Sequence, residues 1–429
     1  MLFKTQDLKK VPDTVRHVRT GLRQLRDLSQ RVRVEGEVDT LRKLNQIGTV
    51  IVVPTHSSNM DSILMGWSLE SSGLPPVTYG AGKNLFTNPL TSFFMHNLGA
   101  YKVDRRLSHT LYKDVLKTYS QVLIERGFHS LFFPGGTRCR SNIVESKLKL
   151  GLLGTAISGY VNNLKQNQER PVFICPATIN YNLVLEAESL IREHFRREGR
   201  ARYFLENDEF NQVSTIVRFV MNTVSMNAST SIRFGAPMDP FGNRVESDGR
   251  SYDSRGREID PSSYVRSIRS GDVVEDINRD REYTAYTGKK IGESFREHTV
   301  LQPSSIVAFA LFEILSKRYP DVDVFELLRI ASHDRINRAE FEPVVRELFI
   351  NLNRRAKAGE FFLSSIVTTF EATLDDGLKS LGMYHMPAAI ETFGSGVVIN
   401  RLDLLYFYGN RVRTYIDDSS AILKRAGVK

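Results

Sequence analysis

The chain has 429 residues, a formal net charge of +9, 41% hydrophobic and 25% charged residues, the profile of a soluble globular protein with two domains or one large domain and an appendage. No run approaches the ~18 consecutive apolar residues that a spanning helix needs, and the most apolar stretch, 306–312, stops at Glu313 and is expected to be a core helix. Two cysteines, Cys139 and Cys175, make neither a disulfide framework nor a metal-ligand cluster, which favours a reducing compartment; no metal or other cofactor is expected.

Residues 1–33 carry nine Lys or Arg against three Asp, most of the net positive charge. In the same segment Val11, Val15, Val18, Leu22, Leu25, Leu28 and Val32 recur at steps of three and four, which predicts a helix with one apolar face flanked by basic residues. Such a helix either lies on an anionic bilayer, where each Lys or Arg contributes about 1 kcal/mol, or packs on its own domain with a solvated basic side. Asp7, Lys9, Lys10 and Asp13 interrupt the apolar core that a signal peptide would need. The segment 1–45 is therefore set apart as a basic amphipathic unit. With no spanning segment, a peripheral protein on the cytoplasmic side of a membrane is expected.

Residues 46–240 alternate strand-like runs (50–53, 76–79, 130–133, 172–178 and 231–234) with helical stretches such as 107–126 and 147–162. This alternation predicts an α/β domain with a mainly parallel sheet flanked by helices, whose ligands gather beyond the carboxyl ends of the strands. Residues 241–285 form a polar insertion punctuated by Gly242, Gly249, Gly256 and Gly271, read as loops and short hairpins. From 286 to 429 helical spacing returns, for example at 305–317, 324–331 and 341–356, and a helical C-terminal region is expected.

The residues that carry chemistry cluster at predicted strand ends. The apolar run 49–53 stops at Pro54, which cannot donate to a ladder, and is followed by Thr55-His56-Ser57-Ser58-Asn59-Met60-Asp61. A helix starting from these polar residues would bring Asp61 back to the imidazole of His56, fixing one tautomer and raising the basicity of the other nitrogen. Phe133-Pro134-Gly135-Gly136-Thr137-Arg138-Cys139-Arg140 ends another predicted strand. Its glycines allow backbone N–H groups to approach an anion, and its alternate arginines can fork onto phosphate oxygens. Lys83, Lys102, Arg105 and Arg106 add positive charge from 80–86 and 99–106, and the apolar segment 171–181 is expected to be broken by Pro176. A nucleic-acid partner is not favoured, because the basic N-terminal stretch holds only Phe3 as an aromatic.

In order and spacing these four blocks resemble the glycerophospholipid acyltransferases: His56…Asp61, Gly99…Arg105, Phe133…Arg140 and Val172…Pro176, over about 125 residues. Ala81-Gly82-Lys83-Asn84-Leu85 and the tail segment Leu404…Arg411 are more similar to the glycerol-3-phosphate acyltransferase branch than to the short lysophosphatidate acyltransferases. The resemblance implies transfer of a fatty acyl group from acyl-CoA or acyl carrier protein to a hydroxyl of glycerol 3-phosphate, the first step of phospholipid synthesis. It assigns His56 as general base oriented by Asp61, Lys83, Arg105, Arg138 and Arg140 as holders of the acceptor phosphate, and Gly135, Gly136 and Thr137 to the loop that serves the oxyanion. Acceptors such as 1-acylglycerol 3-phosphate or dihydroxyacetone phosphate, or a non-catalytic lipid- or membrane-binding role, stay open. Two positions depart from the family pattern: Gly135 stands where the family has Glu, which is thought to order the acceptor-binding loop, and Cys139 stands where it has Ser.

Overall fold

The computed structural model describes residues 32–86, 99–104, 106–107, 109–168, 170–197 and 230–428. Most of the basic amphipathic segment, and Arg105 of the expected phosphate-binding set, lie outside them.

Seven strands form the central sheet: β1 (Val32–Gly36), β2 (Thr49–Pro54), β3 (Thr78–Gly82), β4 (Ala100–Val103), β5 (Ser130–Leu131), β6 (Val172–Tyr181) and β7 (Thr230–Phe234). Their spatial order is β1-β7-β6-β2-β5-β3-β4. The five strands from β6 to β4 run parallel, while β7 pairs antiparallel with β6 and carries β1 with it. Helices α1 (Val38–Ile47), α2 (Asp61–Ser71), α3 (Thr110–Glu125), α4 (Gly154–Lys165) and α5 (Ala187–Arg197) flank this sheet, so the expected α/β architecture is present.

β2 shows why the layers form. All six residues of Thr-Val-Ile-Val-Val-Pro are buried, and the two faces of the strand feed two cores, as a period of two requires. Val50 and Val52 join Leu41 and Leu44 of α1 and Leu64, Met65 and Leu69 of α2. Ile51 and Val53 join Ala156, Ile157 and Val161 of α4 and Leu190 and Ile191 of α5. Each such fully buried side chain contributes about 1.5–3 kcal/mol.

The polar insertion folds as a meander of β8 (Arg244–Val245), β9 (Ser251–Tyr252) and β10 (Glu258–Ile259). Beyond it come α6 (Ile277–Glu297), α7 (Pro303–Arg318), α8 (Val324–Ile330), α9 (Arg338–Lys357), α10 (Phe370–Leu381), α11 (Leu402–Arg413) and α12 (Ser419–Arg425), with five short strands between them. The apolar run 306–312 is the middle of α7 and is buried throughout, packed by α9, α10 and α11. Its apolarity serves a protein core, and no described helix is long and apolar enough to cross a membrane. A single apolar cluster extends from Ile51 and Val53 through α7 to Leu423, which fixes the C-terminal helices to the sheet domain.

Three local expectations are corrected. The strand expected at 76–79 forms as β3 two residues later, at Thr78–Gly82, because Pro75 and Pro76 cannot donate to a ladder. The helix expected from 147 begins only at Gly154. The residues before it form a loop whose Lys149 N–H donates to Pro134 O at 2.7 Å. Pro176 does not break its strand, and β6 runs through it for ten residues. The Pro176 carbonyl accepts from Gly235 N–H at 2.8 Å, just past the last β6–β7 pair at Ala177 and Phe234, so its absent N–H falls where the ladder has already ended.

Candidate active site

The carboxyl ends of β2, β5 and β6 lie side by side, and each delivers one part of a cleft. After Pro54, Thr55 keeps the loop in register: its N–H donates to Ala177 O at 3.0 Å and its Oγ1 accepts from Ile179 N–H at 3.0 Å. His56 follows, and Asp61 opens α2 with its carboxylate turned back into the loop.

The fully buried Asp61 Oδ2 accepts from His56 Nδ1 at 2.7 Å, Ser57 N–H at 2.7 Å and Ser58 N–H at 2.9 Å. Its Oδ1 accepts from the Tyr181 hydroxyl, at the end of β6, at 2.5 Å. Four donors satisfy this carboxylate in the ionised form, so the His56 proton sits on Nδ1 and the lone pair on Nε2. Tyr181 remains a donor, because burial and the neighbouring Asp61 push its phenol well above the ordinary range. The imidazole stacks on Phe133, ring centroids 4.2 Å apart, and keeps 11% of its side-chain surface exposed. That opening, with Nδ1 committed to Asp61, is what a general base needs.

The loop after β5 is bonded to this one. Cys139 N–H donates to His56 O at 2.6 Å. Glu186, just before α5, is buried and accepts from Ser58 Oγ at 2.9 Å and Asn59 N–H at 2.5 Å. Arg138 reaches the same carboxylate at 3.3 Å and Glu193 at 3.6 Å, and Arg140 pairs with Glu193 at 2.6 Å while donating to Thr137 Oγ1 at 3.1 Å. The structure therefore brings His56, Asp61, Thr137, Arg138 and Arg140 into one network. Lys83 stands apart from it, on the turn after β3, where it is 63% exposed and pairs with Asp104 at 3.4 Å.

Loop geometry narrows the backbone N–H groups that are free to meet an anion. Gly136, at φ +69°, closes the turn with its N–H on Phe133 O at 3.0 Å, and the N–H groups of Ser57, Ser58 and Asn59 are taken by carboxylates. Among the described residues nothing accepts from the N–H of Gly135 or Thr137.

Several participants had no clear signal in the sequence. Tyr181 and Glu186 lie 120 and 128 residues from the partners they hold. Arg411 comes from α11, is buried, and donates to Asn142 Oδ1 at 2.8 Å and toward Ser57 Oγ at 3.5 Å. Asn410 donates to Ser141 O at 2.9 Å, so α11 pins the loop after β5. Glu145 lies on that loop, with Oε2 accepting the His56 N–H at 3.1 Å. Burial pushes its carboxyl up to about 7, aided by the negative charge of Asp61 and opposed by the His56 N–H and by Arg411.

That displacement has a testable sign. Between the ordinary carboxylate range and pH 7 the unfolded chain releases the Glu145 proton while the folded chain keeps it, so the stability this site contributes is lost as pH rises through that window. Glu145→Gln removes the penalty, and its melting temperature relative to wild type is expected to rise between pH 5 and pH 8 in parallel thermal melts. A difference that stays level across that range would contradict the burial of this carboxyl.

Among the described residues no group of three or more His, Cys, Asp or Glu is arranged to hold a metal ion.

Residues 32–180 match the family model described as Acyltransferase. The glycerol-3-phosphate acyltransferase of Pseudoalteromonas atlantica is 29% identical over 203 residues, 47% of this chain and 23% of that protein. That of Haemophilus influenzae is 31% identical over 243 residues, 56% and 28%. The chain thus spans about a quarter of the length of the curated relatives it matches. Among solved structures, the 1-acyl-sn-glycerophosphate (LPA) acyltransferase PlsC of Thermotoga maritima aligns with 65% of this chain and 77% of its own at 16% identity and a TM-score of 0.30, a likeness too slight to carry an inference. Residues 32–180, which carry the four blocks, are thus similar to the acyltransferase family, and part of the chain is similar to part of the glycerol-3-phosphate acyltransferases.

Proposed function

We propose that this chain transfers a fatty acyl group from a thioester, acyl-CoA or acyl carrier protein, to a hydroxyl of glycerol 3-phosphate. The observation that supports this reading most strongly is a His–Asp pair whose Nε2 has no hydrogen-bond partner among the described residues, joined through Cys139 and Glu186 to a loop bearing two arginines. Nε2 takes the acceptor hydroxyl proton while the oxygen attacks the thioester carbonyl, and Asp61 stabilises the imidazolium that forms. The negative charge on the carbonyl oxygen calls for backbone donors, for which Gly135 and Thr137 are the unengaged N–H groups of the loop. Collapse breaks the C–S bond, and the imidazolium returns its proton to the thiolate, with no acyl-enzyme and no metal in the scheme.

Arg138, Arg140, Lys83 and Arg105 are proposed to hold the acceptor phosphate. Glu193, 39% exposed, is the partner of these arginines that a phosphate can displace. A groove of about 620 Å³ beside the loop, walled by Ile143, Val144, Leu148 and Leu150 and by Gly288 and Gly292 of α6, offers the apolar surface an acyl chain requires. The setting proposed is the cytoplasmic surface of a membrane, where the acyl product resides, and the basic residues of 1–33 support it.

Arg138→Ala is expected to raise KM for glycerol 3-phosphate about tenfold or more, the worth of a charge-assisted pair, with a smaller change in kcat. Steady-state kinetics with varied acceptor checks it. An unchanged KM would remove Arg138 from phosphate recognition.

A further inference from the structure

Gly135 and Glu145 occupy one another's space. Glu145 Oε1 lies 2.2 Å, and its Cδ 3.0 Å, from the place where a Cβ on residue 135 would stand. Any side chain at 135 would therefore collide with Glu145 as it sits here. Gly135 is not in the left-handed region, unlike Gly136 at φ +69°, so conformation does not demand glycine at 135, whereas room does. The other carboxylate oxygen, Oε2, accepts the His56 N–H at 3.1 Å. That backbone group belongs to a loop otherwise held through Asp61 and Glu186 by the N–H groups of Ser57, Ser58 and Asn59. Glu145 thus completes a run of four successive N–H groups, 56 to 59, each bonded to a carboxylate.

We propose that Glu145 is a positioning residue for His56: from the space that Gly135 leaves open it anchors the His56 backbone, doing from ten residues downstream what a glutamate rooted at 135 would do from the turn itself. The Glu that the family pattern places at 135 is, on this view, relocated. The proposal rests on the reading of His56 as general base only for its kinetic consequence. The bond itself can be read without any substrate.

The test uses the full chain with [15N]histidine, in which the His56 amide is identified by its loss in His56→Ala among nine histidines. Hydrogen exchange of that amide is followed in wild type, Glu145→Gln, Glu145→Ala and Gly135→Glu/Glu145→Ala. Wild type and Glu145→Gln, which keeps an acceptor oxygen, are expected to be protected alike. Glu145→Ala should exchange at least tenfold faster, and the double variant should regain most of that protection. In acyl transfer, kcat should follow the same order, with KM for the acceptor within about twofold throughout. An unchanged His56 amide in Glu145→Ala, or a double variant no better protected than Glu145→Ala, would overturn the proposal. Restored protection without acyl transfer in any form, wild type included, would instead overturn the transferase reading and leave the anchoring role standing.

Discussion

His56→Ala is expected to lower kcat by about 10²–10⁴-fold, the range for loss of a positioned general base, in a protein that still folds. The ring contributes little to either core: it is held at one edge by Asp61 and on one face by Phe133. Its removal leaves the backbone bonds at His56 N and O in place, so the loss belongs to chemistry. KM for the acceptor should move far less than kcat, because the phosphate recognition proposed above rests on the arginines. Near-wild-type turnover in His56→Ala would remove the mechanism.

Asp61→Asn should be nearly as damaging and for a different reason. The carboxylate accepts from the imidazole, two backbone N–H groups and the Tyr181 hydroxyl, more than one amide oxygen can serve. An amide nitrogen facing Nδ1 would favour the tautomer with its proton on Nε2, the nitrogen that must accept one. In a hydrolase triad the equivalent change costs about 10⁴ in kcat, and a loss of roughly 10³ or more is expected here. The orphaned buried donors should also cost about 1–3 kcal/mol of stability. Kinetics and thermal melts on the same preparation separate the two effects. A variant with lowered stability and intact kcat would make Asp61 a structural cap.

How much of this was legible in the sequence depended on distance along the chain. The His56–Asp61 pair spans five residues and follows an apolar run, so strand end, loop and helix start could all be read locally. The parallel sheet followed from β–α alternation, and α7 from a long apolar run. The loop from 142 to 153 was misread as helix from 147, although its Leu148, Leu150 and Leu152 stand at steps of two rather than three and four, and they pack on the main core as a loop. Pro176 was misread as a break because which edge of a strand lacks its N–H is decided by the neighbouring strand. Glu186, Tyr181 and Arg411 could not be placed at the site for a similar reason: each meets the His56 loop only through the fold, and Arg411, although its segment Leu404…Arg411 entered the family resemblance, arrives from a helix more than 350 residues away. The arginines at 138 and 140 were legible as cations but not as half of an ion-pair network with Glu186 and Glu193.

This last feature shapes the expected behaviour of the site. Glu193 pairs with both arginines, Arg138 at 3.6 Å and Arg140 at 2.6 Å, so their charges are balanced without a bound anion. The same logic places α11 in the site, since Asn410 and Arg411 fix the loop that carries Glu145.

The central claim is that His56 drives acyl transfer from a thioester to a phosphorylated glycerol hydroxyl. The most direct measurement incubates the purified full chain with a labelled acyl thioester and, in parallel, glycerol 3-phosphate, 1-acylglycerol 3-phosphate and dihydroxyacetone phosphate. The result predicted is label in acylglycerol 3-phosphate, fastest with glycerol 3-phosphate, with none on the protein and none in His56→Ala. Thioester left intact with all three acceptors, while the chain binds anionic vesicles, would contradict it.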